Sequence, residues 1–141
     1  MARRVFLAFL VFGLVACGDD STGLEDILGT YTLQTINEEE LGFSFQTVNP
    51  DGTILITVIN AAEAVFNPQS CAVITNATTT LIDPFGQVRG ESSMAVTTQC
   101  TFMFRSGALT LNYTDGTVDT GSIVGSTLTI TRNGALWVFR K

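Results

Sequence analysis

The sequence predicts an all-β fold, an antiparallel up-and-down meander of eight or nine strands closing into a barrel. Three observations carry that expectation. The 141-residue chain is 45% hydrophobic, only 14% charged and contains 13 glycines, a balance that fits a β-rich globular domain and excludes a disordered one. Its C-terminal part is punctuated by Ser106-Gly107, Asp115-Gly116, Gly125-Ser126 and Asn133-Gly134, which read as tight hairpin turns. Between those turns, large apolar residues alternate with polar ones at the period of a half-buried strand.

Turn chemistry then fixes register. Asn133-Gly134 is the strongest short hairpin signal, and it pairs Ile130 with Trp137 and Leu128 with Phe139. Two-residue loops at Gly125-Ser126 and Ser106-Gly107 pair Ile123 with Leu128, Phe104 with Leu109 and Phe102 with Leu111. A two-residue loop at Asp115-Gly116 would send Leu109, Leu111 and Tyr113 to solvent, so parity requires the loop Thr114-Asp115-Gly116 with Gly116 left-handed in a G1 bulge. One inward face results: Phe102, Phe104, Leu109, Leu111, Tyr113, Ile123, Leu128, Ile130, Trp137 and Phe139. A meander of this length closes most economically into a barrel, which removes its edges.

Upstream, Leu24 to Leu28 has room for one helical turn, and Gly29 to Ile36 reads as a strand with Tyr31 and Leu33 on one face. The Glu38-Glu39-Glu40 triplet reads as a solvated turn. Leu41, Phe43 and Phe45 alternate ahead of the turn Asn49-Pro50-Asp51-Gly52. Ile54 to Ile59 is a strand, whereas Ala61 to Phe66 fits a strand or a helical turn equally. Cys71 to Ile82 and Gln87 to Phe104 flank the turn-rich Asp83-Pro84-Phe85-Gly86, and folding there sets Cys71 opposite Cys100. Facing residues of an antiparallel pair are close enough for a disulfide. Two buried free thiols or a metal site are the rival readings, the latter without any histidine or closely spaced cysteine pair to support it.

The N-terminus carries a different message. Arg3 and Arg4 precede an apolar run from Val5 to Ala16, followed at once by Gly18-Asp19-Asp20. That layout reads as a secretory signal, since a dozen apolar residues are too few for a bilayer of about 30 Å. Leu14-Val15-Ala16-Cys17 resembles the lipobox of bacterial lipoproteins. The resemblance implies cleavage before Cys17 and acylation of its thiol and freed amine. It also implies outer-membrane sorting, because Gly18 occupies the place where an Asp would favour retention in the inner membrane. The alternative is an ordinary signal peptide with Cys17 near the cut by chance. The expected organisation is therefore a signal peptide over 1–16, a lipidated tether over 17–27 and the barrel domain over 28–141. Loss of both signal arginines leaves five basic residues against 13 acidic ones. Such a surface repels nucleic acid and anionic headgroups, so the membrane contact expected is the N-terminal lipid, in the bacterial envelope facing the periplasm.

Gly29-Thr30-Tyr31-Thr32-Leu33 resembles the opening strand of lipocalin-like domains, with Tyr31 where the family pattern has tryptophan. The rhythm ending in Trp137-Val138-Phe139-Arg140 is similar to small lipocalin-like bacterial lipoproteins. The resemblance implies a lipocalin-like barrel in which Arg140 packs across the ring of Tyr31.

Catalytic constellations are scarce. Without histidine and with Lys141 as the lone lysine, Ser-His-Asp, Cys-His and His-metal chemistry are excluded. The sequence accordingly reads as a non-enzyme without catalytic residue, metal or cofactor. In the inferred register Asp119 faces Arg132 near a barrel mouth, with Tyr113 and Trp137 nearby. These four read either as a polar rim for a ligand head group or as a cross-strand ion pair. Strands of about seven residues and several inward aromatics point to a filled interior. Two functions stay open: a binding module for a small apolar ligand, held in the barrel or at its mouth, and a non-enzymatic interaction or assembly protein, or inhibitor, that uses the barrel as a scaffold for an envelope partner.

Overall fold

The structure, a computed structural model, describes residues 23–141. The lipobox reading at Cys17 and the signal peptide over 1–16 lie outside the described residues. A single helical turn, α1 (Leu24–Ile27), leads into ten strands: β1 (Gly29–Ile36), β2 (Glu39–Glu40), β3 (Ser44–Val48), β4 (Ile54–Asn67), β5 (Ser70–Ile82), β6 (Val88–Arg105), β7 (Ala108–Tyr113), β8 (Val118–Val124), β9 (Thr127–Arg132) and β10 (Ala135–Arg140). β4 through β10 run as a meander, β10 pairs with β1, and β1 returns to β4 through Gly29↔Phe66 and Thr32↔Glu63. An eight-stranded antiparallel barrel is thereby closed, with β2 added to β1 and β3 added to β4.

The registers inferred from turn chemistry hold. Ile130 pairs with Trp137, Leu128 with Phe139, Ile123 with Leu128 and Phe104 with Leu109. Asn133 and Gly134 both have positive φ, as do Ser106 and Gly107, the signature of the type I′ turn that matches strand twist. At the longer loop, Tyr113 donates to the Thr117 carbonyl and Gly116 to that of Tyr113 (2.9 and 3.0 Å). Gly116 takes φ +85°, and parity is kept so that Leu111 faces Asp119 across the ladder. Ala61 to Phe66 is strand throughout, the irregularity between Ile59 and Ala61 being a bulge at Asn60. Cys71 pairs with Cys100, Cα to Cα 4.8 Å, and the two form a disulfide.

Burial of that inward face makes the core. Tyr31, Leu33, Phe66, Leu109, Leu111, Ile123, Leu128, Ile130 and Phe139 are at most 2% exposed, each fully buried large side chain being worth about 1.5–3 kcal/mol over exposure. Gly121 sits inside this face opposite Ile130, where an added Cβ would collide with the Thr129 carbonyl oxygen. Ile27 of α1 is wholly buried against the same core, so packing starts inside the segment expected to be tether. α1, the Gly125-Ser126 turn and Lys141 share one end of the barrel, with Lys141 N–H donating to the Ser126 carbonyl (2.9 Å). The turns at Asn37-Glu38, Thr114–Gly116 and Asn133-Gly134 rim the other end, the mouth.

Strand length departs from the expected seven residues: β4, β5 and β6 span 14, 13 and 18. Their lower halves belong to the barrel; their upper halves run past the mouth and, with β3, make a four-stranded arm. The Thr-rich and Ser-rich runs that build this arm alternate too weakly to declare which residues lie beyond a core. Side-chain hydroxyls bridge the arm's strands, Thr57 to Thr79 (3.3 Å), Asn60 to Thr78 (2.8 Å) and Thr78 to Ser93 (3.0 Å).

Candidate functional site

Inside the ring, Val73, Tyr113, Ile130, Arg132, Trp137 and Phe139 leave no room for a water-sized molecule between them. Side chains fill the ring there, as eight strands permit. Space opens instead at the mouth, where β3 of the arm leans over the β9–β10 hairpin. There a cleft of about 350 Å³ is lined by Asn37, Phe43, Phe45, Ile59, Arg132 to Ala135 and Trp137, within the range of small-molecule sites. Phe45 is half exposed at its edge while Ile59 is buried at its floor.

The four residues expected at the rim are together beneath the mouth, but only Arg132 and Trp137 line this cleft. Asp119 on β8 and Arg132 at the end of β9 face each other, Oδ2 to Nε 3.8 Å, too long for a hydrogen bond. The guanidinium lies over two rings at once, 5.0 Å from the centroid of Tyr113 and 5.9 Å from that of Trp137, a cation–π arrangement that holds the charge without satisfying its donors. Three polar atoms of this group are buried without a hydrogen bond of good geometry: Arg132 Nη1, Asp119 Oδ2 and the Tyr113 hydroxyl, which is near enough to Asp119 for only a weak one. Each such atom costs about 1–3 kcal/mol in desolvation. Burial, and second the neighbouring Asp119 carboxylate, push the Tyr113 phenol well above its ordinary value, so the hydroxyl keeps its proton and can donate. Chemically the cluster offers one acceptor, one cationic donor and one hydroxyl beneath an apolar wall.

Arg132 also walls a second, polar cleft outside the ring, of about 580 Å³, lined among others by Asp115, Thr117, Asp119 and Asn133. Asp115 accepts from the Thr117 hydroxyl and amide (2.6 and 2.9 Å), and these bonds hold its carboxyl below the usual range. That chemistry serves the turn itself.

Sequence reasoning missed the arm's half of the cleft. The alternation of Leu41, Phe43 and Phe45 was visible, but Phe43 and Phe45 reach the mouth only because β3 pairs with β4 beyond the ring, Phe45 opposite Thr57. One expectation at the other end is corrected. Arg140 pairs with Thr32 and points outward, exposed; Lys141 lies over the Tyr31 ring instead, Nζ 5.7 Å from its centroid, and donates to the Asp26 carbonyl (3.0 Å). Period-two alternation sends residue 140 outward whenever Phe139 points in, so the cation that reaches the ring is the one after the strand ends.

Compared with protein-family models, curated proteins and solved structures, the chain matches none.

Proposed function

We propose that the protein is a binding module for a small amphipathic molecule, taken at the barrel mouth and not inside the ring. The observation that carries this reading is an apolar cleft whose wall includes Arg132, with its buried and unpartnered Nη1, and Trp137, the buried Asp119 and Tyr113 lying behind Arg132. An apolar body would lie against Phe43, Phe45, Ile59 and Trp137, and a polar end that accepts hydrogen bonds, such as a hydroxyl or carboxylate group, would reach Arg132. A polar end placed there would accept a hydrogen bond from the buried Arg132 Nη1. The barrel acts as a rigid, lipocalin-like scaffold without reaction chemistry of its own, and a lipid on Cys17 would hold it in the bacterial envelope, on the outer membrane facing the periplasm. The lipobox Leu14-Val15-Ala16-Cys17 supports that address.

Trp137 is the chain's single tryptophan and lines the cleft, so its emission reports occupancy. Decanoic acid and decanol, titrated separately, are expected to shift that emission saturably, and Phe45→Asp or Arg132→Ala to weaken the response about tenfold. No saturable response to either probe would overturn the reading. For the anchor, cells fed labelled palmitate should label the wild type and not Cys17→Ser; equal labelling removes the lipoprotein assignment.

The second function, an assembly protein or inhibitor using a filled scaffold, is favoured by one observation: the side chains of Val73, Tyr113, Ile130 and Phe139 leave no room for a water-sized molecule between them. A protein partner captured by Phe45→Asp as well as by wild type, with no probe binding in either, is the outcome that supports it.

A further inference from the structure

β6 carries the longest unpaired backbone in the fold. On one side it pairs with β5 from Val88 to Cys100; on the other it pairs with β7 only from Cys100 to Arg105. The Gln99 carbonyl accepts from Thr114 (3.3 Å), which marks the end of coverage on that side. Backbone groups of alternate residues point the same way along a strand, so those of Thr97, Ala95, Ser93 and Glu91 face the same open edge. Residues 88 to 97 are exposed throughout. Natural edges of this length are usually blocked by proline, lysine or charge. Here Arg89 forms a bulge opposite Leu81 and Ile82 and is tied back to Asp83 (2.6 Å), Glu91 follows it, and no charged residue or proline lies between Ser92 and Thr98.

We propose that this edge pairs with the same edge of a second copy of the chain, antiparallel and about a two-fold axis through Met94. A bulge at Arg89 ends the regular ladder at Gly90, and the open groups of Glu91, Ser93, Ala95 and Thr97 have Met94 as their midpoint, so this is the register that uses all four. It sets Ser93 opposite Ala95 and Glu91 opposite Thr97 as hydrogen-bonded pairs, in keeping with the parity fixed by Gln99. Side chains agree. On the face continuous with the barrel interior, half-exposed Met94 meets its own counterpart, Val96 meets Ser92 of the other copy and Thr98 meets Gly90. On the opposite face Glu91 meets Thr97 and Ser93 meets Ala95, so no like charges oppose. Two arms would join into one eight-stranded sheet with β3 at either end. Such an isologous contact closes, whereas β6 pairing with the β3 edge of another copy would propagate as a filament.

The test is the oligomeric state of the full chain, purified in detergent and measured by analytical ultracentrifugation over a concentration series, with circular dichroism for folding. The wild type is expected to dimerise reversibly. Ala95→Pro removes an amide that only the second copy would use, and the loss falls twice in the dimer, so the dissociation constant should rise about tenfold or more. Cysteine scanning in a Cys17→Ser background reads register independently of that variant: Met94→Cys should cross-link two copies on oxidation, while Ser93→Cys and Ala95→Cys, each facing the other position, should not. A chain monomeric at every concentration, a dimer unchanged in folded Ala95→Pro, a filament, or equal cross-linking at all three positions would each overturn the proposal.

Discussion

The barrel half built by β7 to β10 and the arm built by β3 and the upper halves of β4 to β6 are made from the same alternating grammar, yet only one of them has a core. In β7 to β10 each strand is six or seven residues, its inward side chains are buried, and tight turns fix every register. In the arm the ladder continues without a second layer, so both faces meet solvent or the cleft, and threonine and serine hydroxyls take the place of packing. The comparison teaches that closure, not strand propensity, decides where stability resides. The cleft follows the same boundary: it forms where the arm's Phe43 and Phe45 overhang the last turn of the ring.

Truncation should separate the two regions first. Phe139→Ala, inside the ring, is expected to lose about 3–5 kcal/mol by chemical denaturation, whereas Thr78→Ala in the arm should lose only about 0.2–1 kcal/mol; comparable losses would erase the distinction. Next in size, removing the disulfide with Cys71→Ala and Cys100→Ala together should cost about 3.5 kcal/mol for the 29-residue separation it spans. Because that bond joins β5 and β6 within the ring, the loss should appear in global unfolding and not as selective hydrogen exchange in the arm.

Titration sharpens the contrast further. At the arm's tip, the Gln87 amide foremost, and then the Arg89 guanidinium and Phe85 amide, hold the Asp83 carboxyl below its ordinary value of 3.8. A depressed folded value means the contribution is complete above that ordinary value and is lost as pH falls through the lowered one. Acid below about pH 4 should therefore loosen the arm before the ring, and Asp83→Asn should remove that pH dependence, as amide exchange at Gln87 will show. Tyr113 titrates in the opposite direction. Its raised folded value leaves stability level below the ordinary tyrosine value of 10.0 and lowers it above, where only the unfolded chain ionises freely. Tyr113→Phe should flatten that alkaline decline. It should also leave neutral-pH stability unchanged or raise it by about 1 kcal/mol, because a poorly partnered buried hydroxyl is removed.

How much the sequence disclosed follows the same divide. Ser106-Gly107, Asn133-Gly134 and the Gly116 bulge impose positive φ that few other residues tolerate, so they announce register, and register alone gathers Tyr113, Asp119, Arg132 and Trp137. Cys71 and Cys100 were legible for the same reason, the Asp83–Gly86 turn lying midway between them. Nothing local announces that β3 pairs above the ring, because Phe43 and Phe45 alternate as any core residues do. Nor does a local signal choose between Arg140 and Lys141 at the ring of Tyr31; the choice depends on where the last strand stops.

The central claim is that the ligand sits at the mouth over a filled ring, and it is tested most directly by what the protein carries out of its native cells. Wild type and Phe45→Asp should be purified from those cells in parallel, extracted into organic solvent and analysed by mass spectrometry. The account predicts one amphipathic species near one per chain in the wild type and its loss in Phe45→Asp. The same species retained in Phe45→Asp, and lost only when the interior is altered by Ile130→Phe, would contradict it.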